Sequence, residues 1–162
     1  MGKESAYTSL KQIPAVFKKY ELGERNFDFG GGKYDNGSRY LFKHQTINMV
    51  YDPFNRTSEH NNRVLTYMLM GNISSITCLN VLNVIKDKEE RKVVLSYIRY
   101  VLDQQSFGKL PVIFFQFYEG NRSGIPSKKT TQTNMKTVDY IPEIQVVFPE
   151  FDIQREGNVL IV

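Results

Sequence analysis

The sequence predicts an α/β domain, a mainly parallel sheet flanked by helices and finished by a C-terminal antiparallel hairpin. Three observations carry that expectation. Short apolar runs of strand length alternate with longer stretches of helical periodicity. Strands separated by helices join as parallel neighbours in one sheet. The final segment, "FDIQREGNVLIV", sets two extended runs about Gly157, the pattern of a hairpin.

The elements follow in order. In "SLKQIPAVFKKYEL", Leu10, Ile13, Val16, Phe17 and Tyr20 recur at helical spacing. They place an N-terminal helix within residues 1–20, with Pro14 near its start. "RNFDF" is a short strand that runs into Gly30–Gly32, "SRYLFKHQ" a short helix, and "INMVYD" a buried strand. "SEHNNRVLTYMLMG" reads as a helix capped by Ser58 and stopped at Gly71. Ser75 to Leu79 is a further buried strand. "DKEERKVVLSYIRYVLDQ" is the clearest helix, with Asp87 as its cap and Val93, Val94, Leu95, Ile98, Val101 and Leu102 as its apolar face. Arg91 on that helix is expected at the surface, or paired with Glu89 and Glu90. "LPVIFFQFYEG" has the β-prone composition of an interior strand. "TVDYIPEIQVVF" is a shorter helix with Pro142 in its first turns.

Bulk composition bounds the function. The 162 residues are 41% hydrophobic, with eleven Phe and ten Tyr, enough for one cored domain spanning 1–162. Cys78 is the only cysteine, which excludes an internal disulfide and a multi-cysteine zinc site. His44 and His60 are the only histidines, so no metal centre is expected. No apolar run approaches the roughly 20 residues of a membrane span. "MGKESAYTSLKQ" lacks an apolar signal core, and the expectation is an intracellular, cytoplasmic protein. A net charge of +4 and a pI near 9.1 permit an anionic partner without demanding one.

The stretch that points to chemistry is "NFDFGGGKYD". Three glycines lose more conformational entropy on ordering than any other residues would, so their position needs a reason. A strand ending in glycines lies at the carboxyl edge of a parallel sheet, where ligands bind in open α/β folds. Asp52, after "INMVY", follows Gly30 by 22 positions, near the spacing at which an acid accepts the hydroxyls of a ribose. Asp35 stands where a pyrophosphate-binding turn wants its last glycine, and Asp28 precedes the turn. Both acids disfavour NAD or FAD and suit a cationic ligand such as S-adenosylmethionine (SAM).

Together, "DFGGGKYD", "VYDP" and "LNVLNVI" with the following "EERKVVL" resemble the class I, Rossmann-like, SAM-dependent methyltransferases over about residues 20 to 162. The resemblance implies that Asp28 lies near the methionine end of SAM, that Gly30, Gly31 and Gly32 pass beneath it, and that Asp52, with Pro53 beside it, holds the ribose. It sets Asn80 at a strand end facing the methyl group, with Val81 and Asn83 in the following turn. The "VLNVI … ER … L" run is similar to methyltransferase-like proteins of phage and DNA-modification systems, which implies a phage or mobile-element origin. The segment from Asp52 to Ser75 is short for a helix, a strand and another helix, so one strand of the family is expected to be vestigial or missing. No D/N-P-P-Y/F tetrapeptide is present, so adenine-N6 or cytosine-N4 transfer is not expected, and without a Pro-Cys nucleophile neither is cytosine-C5 methylation.

The substrate side is expected in residues 118–137, a polar, glycine-rich loop after the fifth strand of that pattern. Arg122 and Lys128 would meet phosphates, Tyr118, Gln132 and Asn134 a base, and Glu119 is the candidate acid near the acceptor. The favoured acceptor is a nucleic acid or nucleotide. A reading from another class stays open: a non-catalytic module that binds SAM, nucleic acid or protein on a reduced methyltransferase fold.

Overall fold

The computed structural model describes residues 11–105 and 108–162. In chain order the elements are α1 (Ala15–Lys19), β1 (Arg25–Phe29), α2 (Asn36–Lys43), β2 (Ile47–Tyr51), α3 (Ser58–Leu69), β3 (Ser75–Leu79), α4 (Lys88–Asp103), β4 (Val112–Gln116), α5 (Ile141–Val147), β5 (Gln154–Glu156) and β6 (Val159–Ile161). They form an α/β domain around one mixed sheet of order β2-β1-β3-β4-β6-β5. β2, β1, β3 and β4 are parallel neighbours, and the β5–β6 hairpin adds antiparallel to β4.

Strand alternation separates the two faces of the sheet. Phe27, Ile76, Ile113 and Phe115 point one way, into a core with Met68 of α3, Leu95 and Ile98 of α4 and Ile144 of α5. Burying each such side chain fully stabilises the fold by about 1.5–3 kcal/mol. The opposite face is smaller and partly polar. Val16 and Phe17 of α1 and Leu41 of α2 pack there on Phe114 and Val159. Beside them Asn26, Asp28, Ser75 and Thr77 form a buried polar row. Asn26 Nδ2 donates to Asn48 Oδ1 (2.7 Å) and to Thr77 Oγ1 (2.8 Å), and Thr77 Oγ1 donates to Asp28 Oδ1 (2.8 Å). A buried network of this kind is stabilising only because each member finds a partner.

β2 is an edge strand, and only helix α3 lies between it and β3. The chain from Asp52 to Ser75 therefore holds no strand that could pair beyond β2. Helix α3 seals that edge with two side chains. Asn61 accepts from the Asp52 amide through Oδ1 and donates to the Asp52 carbonyl through Nδ2, both at 3.0 Å. His60 Nε2 lies 2.8 Å from the Val50 carbonyl, to which it donates. The carboxamide thus makes the two bonds that a neighbouring strand would make, and blunts an edge otherwise open to foreign strands. Asn61→Ala is expected to lower stability by about 2 kcal/mol, read as a lower urea midpoint. An unchanged midpoint would refute this sealing role.

Several expectations need correction. The cap of α3 is Thr57, whose extended backbone lets its hydroxyl accept from the His60 amide, and Ser58 is the first helical residue. Asp87 does cap α4, accepting from Glu89 and Glu90. Val93 is 70% exposed and not part of the apolar face of α4. Arg91 is buried at 4% exposure, and its partner is Glu143 of α5. In the N-terminal stretch only Ala15–Lys19 is helical among the described residues, and Leu10 lies outside them. No helix among the described residues is long and apolar enough to cross a membrane.

Candidate functional site

At the carboxyl ends of β1, β2, β3 and β4 lies a cavity of about 320 Å³, within the size range of small-molecule sites. Asp28, Gly30, Gly31, Gly32, Asp52, Asn80 and Val81 all line it, so the three sequence motifs converge on one space. Pro53 and Asn83 do not line it. Asn83 is fully buried and donates to Gln132 Oε1 at 3.1 Å. Sequence reasoning missed Gln116 at the end of β4, and Tyr34, Ser38, Asn48 and Asn55 on the opposite walls. The signal for Asn48 was present, because polar residues at every second position of β1 and β3 mark a polar sheet face.

The glycine turn is shaped by the protein itself as much as by any ligand. Gly30 and Gly32 have φ of +73° and +77°, a backbone region that favours glycine. A Cβ on Gly30 would lie 2.5 Å from Val81 Cγ2, and one on Gly31 would run into the Asp28 carboxylate and Val50. Gly31→Val would therefore disturb the wall of the cavity with or without a ligand.

Asp52 holds this turn in place. Its Oδ2 accepts from the Gly32 amide (2.9 Å) and Asn55 Nδ2 (3.1 Å), and its Oδ1 accepts from the Phe54 and Asn55 amides (2.9 Å each). Arg56 grips the same glycine from the other side, with Nε donating to the Gly32 carbonyl at 2.8 Å and Nη2 paired with Asp35 at 2.7 Å. A carboxylate has about four acceptor positions, and those of Asp52 are filled. A ribose hydroxyl would reach it by displacing Asn55 Nδ2, its only side-chain donor among the described residues.

Asp28 is different. It is 4% exposed and accepts from Thr77 Oγ1 and, more weakly at 3.3 Å, from Asn48 Nδ2. Burial pushes its pKa up to about 6, against the opposing pull of those two hydrogen bonds. Among the described residues that line the cavity, Asp28 and Asp52 are the only charged ones, and no Lys, Arg or His is among them.

The 118–137 loop stands apart. None of Tyr118, Glu119, Arg122, Lys128, Gln132 and Asn134 lines the cavity. Glu119 accepts from the Thr137 amide (2.8 Å) and pairs with Arg122 (2.6 Å). The Thr137 hydrogen bond holds its carboxyl below the usual range. Asn134 is buried and bonded within the loop to Ile125 and Asn121. Lys86 Nζ to the Ser127 carbonyl, and Thr133 N to the Asn83 carbonyl, tie the loop to the turn after β3. Tyr118 and Lys128 remain exposed on its surface.

Among the described residues there is no group of three or more His, Cys, Asp or Glu arranged to hold a metal. Cys78 is buried within β3, where burial raises its thiol pKa strongly. Comparison with protein-family models, with curated proteins and with solved structures finds no match for this chain.

Proposed function

We propose that the cavity binds SAM and that the protein is a SAM-dependent methyltransferase with a Rossmann-like sheet. One observation carries the reading: the cavity sits at the carboxyl edge of parallel strands, and among the described residues its only charged lining groups are two aspartates. A phosphorylated ligand such as NAD or ATP would bring its negative charge against those acids with no lining cation to offset it. A sulfonium ligand with an ammonium group gains from them.

SAM supplies an electrophilic methyl group when bound. The residues of the chain supply position and field. Asp28 sets a negative charge next to the cationic end of the ligand. The Gly30–Gly32 turn, fixed by Asp52 and Arg56, offers a wall without side chains. Asn80, in the turn directly after β3, lines the cavity. Methyl transfer needs an in-line approach more than acid–base chemistry, so positioning of this kind can supply most of the acceleration. The favoured acceptor is a nucleotide or nucleic acid.

A thermal-shift panel with SAM, S-adenosylhomocysteine (SAH), NAD and ATP tests the reading. At a hundredfold excess over Kd a ligand stabilises by about 2.7 kcal/mol, roughly 5–10 °C for a chain of this size. SAM and SAH are expected to give that rise and NAD and ATP none. A shift with NAD or ATP while SAM stays silent overturns the reading.

A further inference from the structure

The polar row beside the cavity is ordered as well as buried. Ser75 Oγ, shared with the Leu22 carbonyl, donates to Asn26 Oδ1 at 2.8 Å. Asn26 Nδ2 donates to Thr77 Oγ1, and Thr77 Oγ1 to Asp28 Oδ1, each at 2.8 Å. The donors along β3 and β1 thus point toward the carboxylate. Asn26 Nδ2 also donates to Asn48 Oδ1 at 2.7 Å, which turns Asn48 Nδ2 toward Asp28 Oδ2 at 3.3 Å and Ser38 Oγ at 3.0 Å. An ionised carboxylate only accepts, so this polarity is the one that a charged Asp28 requires. Asn26, Ser75 and Thr77 are at most 1% exposed, and none of them lines the cavity. Burying polar side chains costs desolvation that apolar ones at the same positions would not, so their order needs a purpose.

We infer that Thr77, backed by Asn26, is a positioning residue for ligand binding: it pins Oδ1 of Asp28 inside the sheet and leaves Oδ2 to a cationic ligand. Oδ2 lies against Gly31 and Asn48, which both line the cavity. From the described residues Asp28 receives two hydrogen bonds, whereas a carboxylate can accept about four. It therefore keeps acceptor positions that Asp52 has used up. The Thr77 hydroxyl also favours the charged form, because it donates to it. Among the groups that favour ionisation Thr77 comes first, ahead of Asn48 and of Arg56, while the nearby charge of Asp52 opposes it. Cys78, next to Thr77 on β3, is buried and stays a thiol. Tyr34 is the titratable group on the α2 side, and among the described residues α1 and α2 place no charged side chain on the cavity wall. Thr77 acts only through Asp28. This inference rests on the SAM reading.

Thr77→Val keeps the shape of the side chain and removes the donor, and Thr77→Ser restores the donor. Two titrations of the full chain read the effect. The first follows the Asp28 side-chain carboxyl by carbon NMR in the ligand-free protein. Its midpoint, near pH 6 in the native chain, is expected to rise by about one pH unit in Thr77→Val and to return in Thr77→Ser. The second measures SAM affinity by equilibrium dialysis from pH 5 to pH 9. In Thr77→Val the rise in affinity should move up by the same interval, with native affinity regained at pH 9. A side chain that only packs would weaken binding equally at every pH, or not at all, and would leave the carboxyl midpoint where it was. Either result overturns the inference. If Thr77→Val does not fold, Asn26→Leu carries the test. It keeps the Thr77 hydroxyl and removes the donor behind it, so a smaller upward shift is expected, and an unmoved midpoint again overturns the inference. In each of these cases the SAM reading stands as long as the native protein binds SAM. If the native protein binds no SAM at any pH, the SAM reading fails and this inference falls with it.

Discussion

Replacing Asp28 by Asn is expected to weaken SAM binding at pH 7.5 by about tenfold, roughly 1.4 kcal/mol, and to remove its pH dependence below neutrality. With its pKa pushed up to about 6 by burial, Asp28 is largely protonated at pH 5 and ionised at pH 7.5. A cationic ligand interacts more favourably with the ionised form. Native affinity should therefore rise about tenfold between pH 5 and pH 7.5 and level off above it. Equilibrium dialysis with labelled SAM across that range reads both effects. A pH-independent native affinity would contradict them.

The same group carries an opposite consequence for stability. Its folded pKa lies above the usual value of 3.8, so the folded state binds the proton more tightly than the unfolded one. The stability this contributes is fully present below pH 3.8 and is lost as pH rises through about 6. At pH 7.5 the ligand-free Asp28→Asn variant should be more stable than the native protein by about 2–3 kcal/mol, a gap that closes in acid. Carboxylates whose pKa is shifted by burial cluster at functional sites.

The second large effect is structural. Arg91→Ala is expected to lower stability by about 3–5 kcal/mol. Arg91 meets Glu143 in a bidentate pair, Nε to Oε2 at 2.8 Å and Nη2 to Oε1 at 2.7 Å. Its Nη1 donates to the Ile85 and Lys86 carbonyls at 2.8 and 2.9 Å. Truncation would leave a nearly buried carboxylate and two carbonyls without their donor. It would also release the chain that leads from Asn80 to α4. Arg91→Lys should recover little, because an ammonium cannot reproduce the planar fork. Urea unfolding measures the loss, and a change below about 1 kcal/mol would refute the assignment.

β2, β4 and β6 were legible as short apolar runs and β5, Gln154–Glu156, only as the polar arm of a hairpin about Gly157, while α4 was legible because its cap and apolar stripe agree. Thr57 and Ser58 are adjacent hydroxyl residues, and only backbone conformation decides which of them caps α3. Arg91 misled because its acidic neighbours in sequence are Glu89 and Glu90, whereas its partner is 52 residues away. The convergence of Asp28, Gly30–Gly32, Asp52 and Asn80 followed from strand ends sharing one sheet edge. What sequence could not convey was how Asp52 is used. Its bonds to the Gly32, Phe54 and Asn55 amides depend on how two chain segments fold against each other. Gln116 was hidden inside a run whose neighbours are all apolar, where a single polar residue carries no periodic signal.

Calorimetric titration of the ligand-stripped protein with SAM and SAH at pH 7.5 decides whether this cavity is a SAM site. Asp28→Asn is the better control than Asp52→Ala, which would dismantle the glycine turn. One site per chain is expected, with a Kd in the micromolar range, about −8 kcal/mol, weakened in the variant for SAM. An absence of binding heat for either ligand, in protein that unfolds cooperatively, would contradict it.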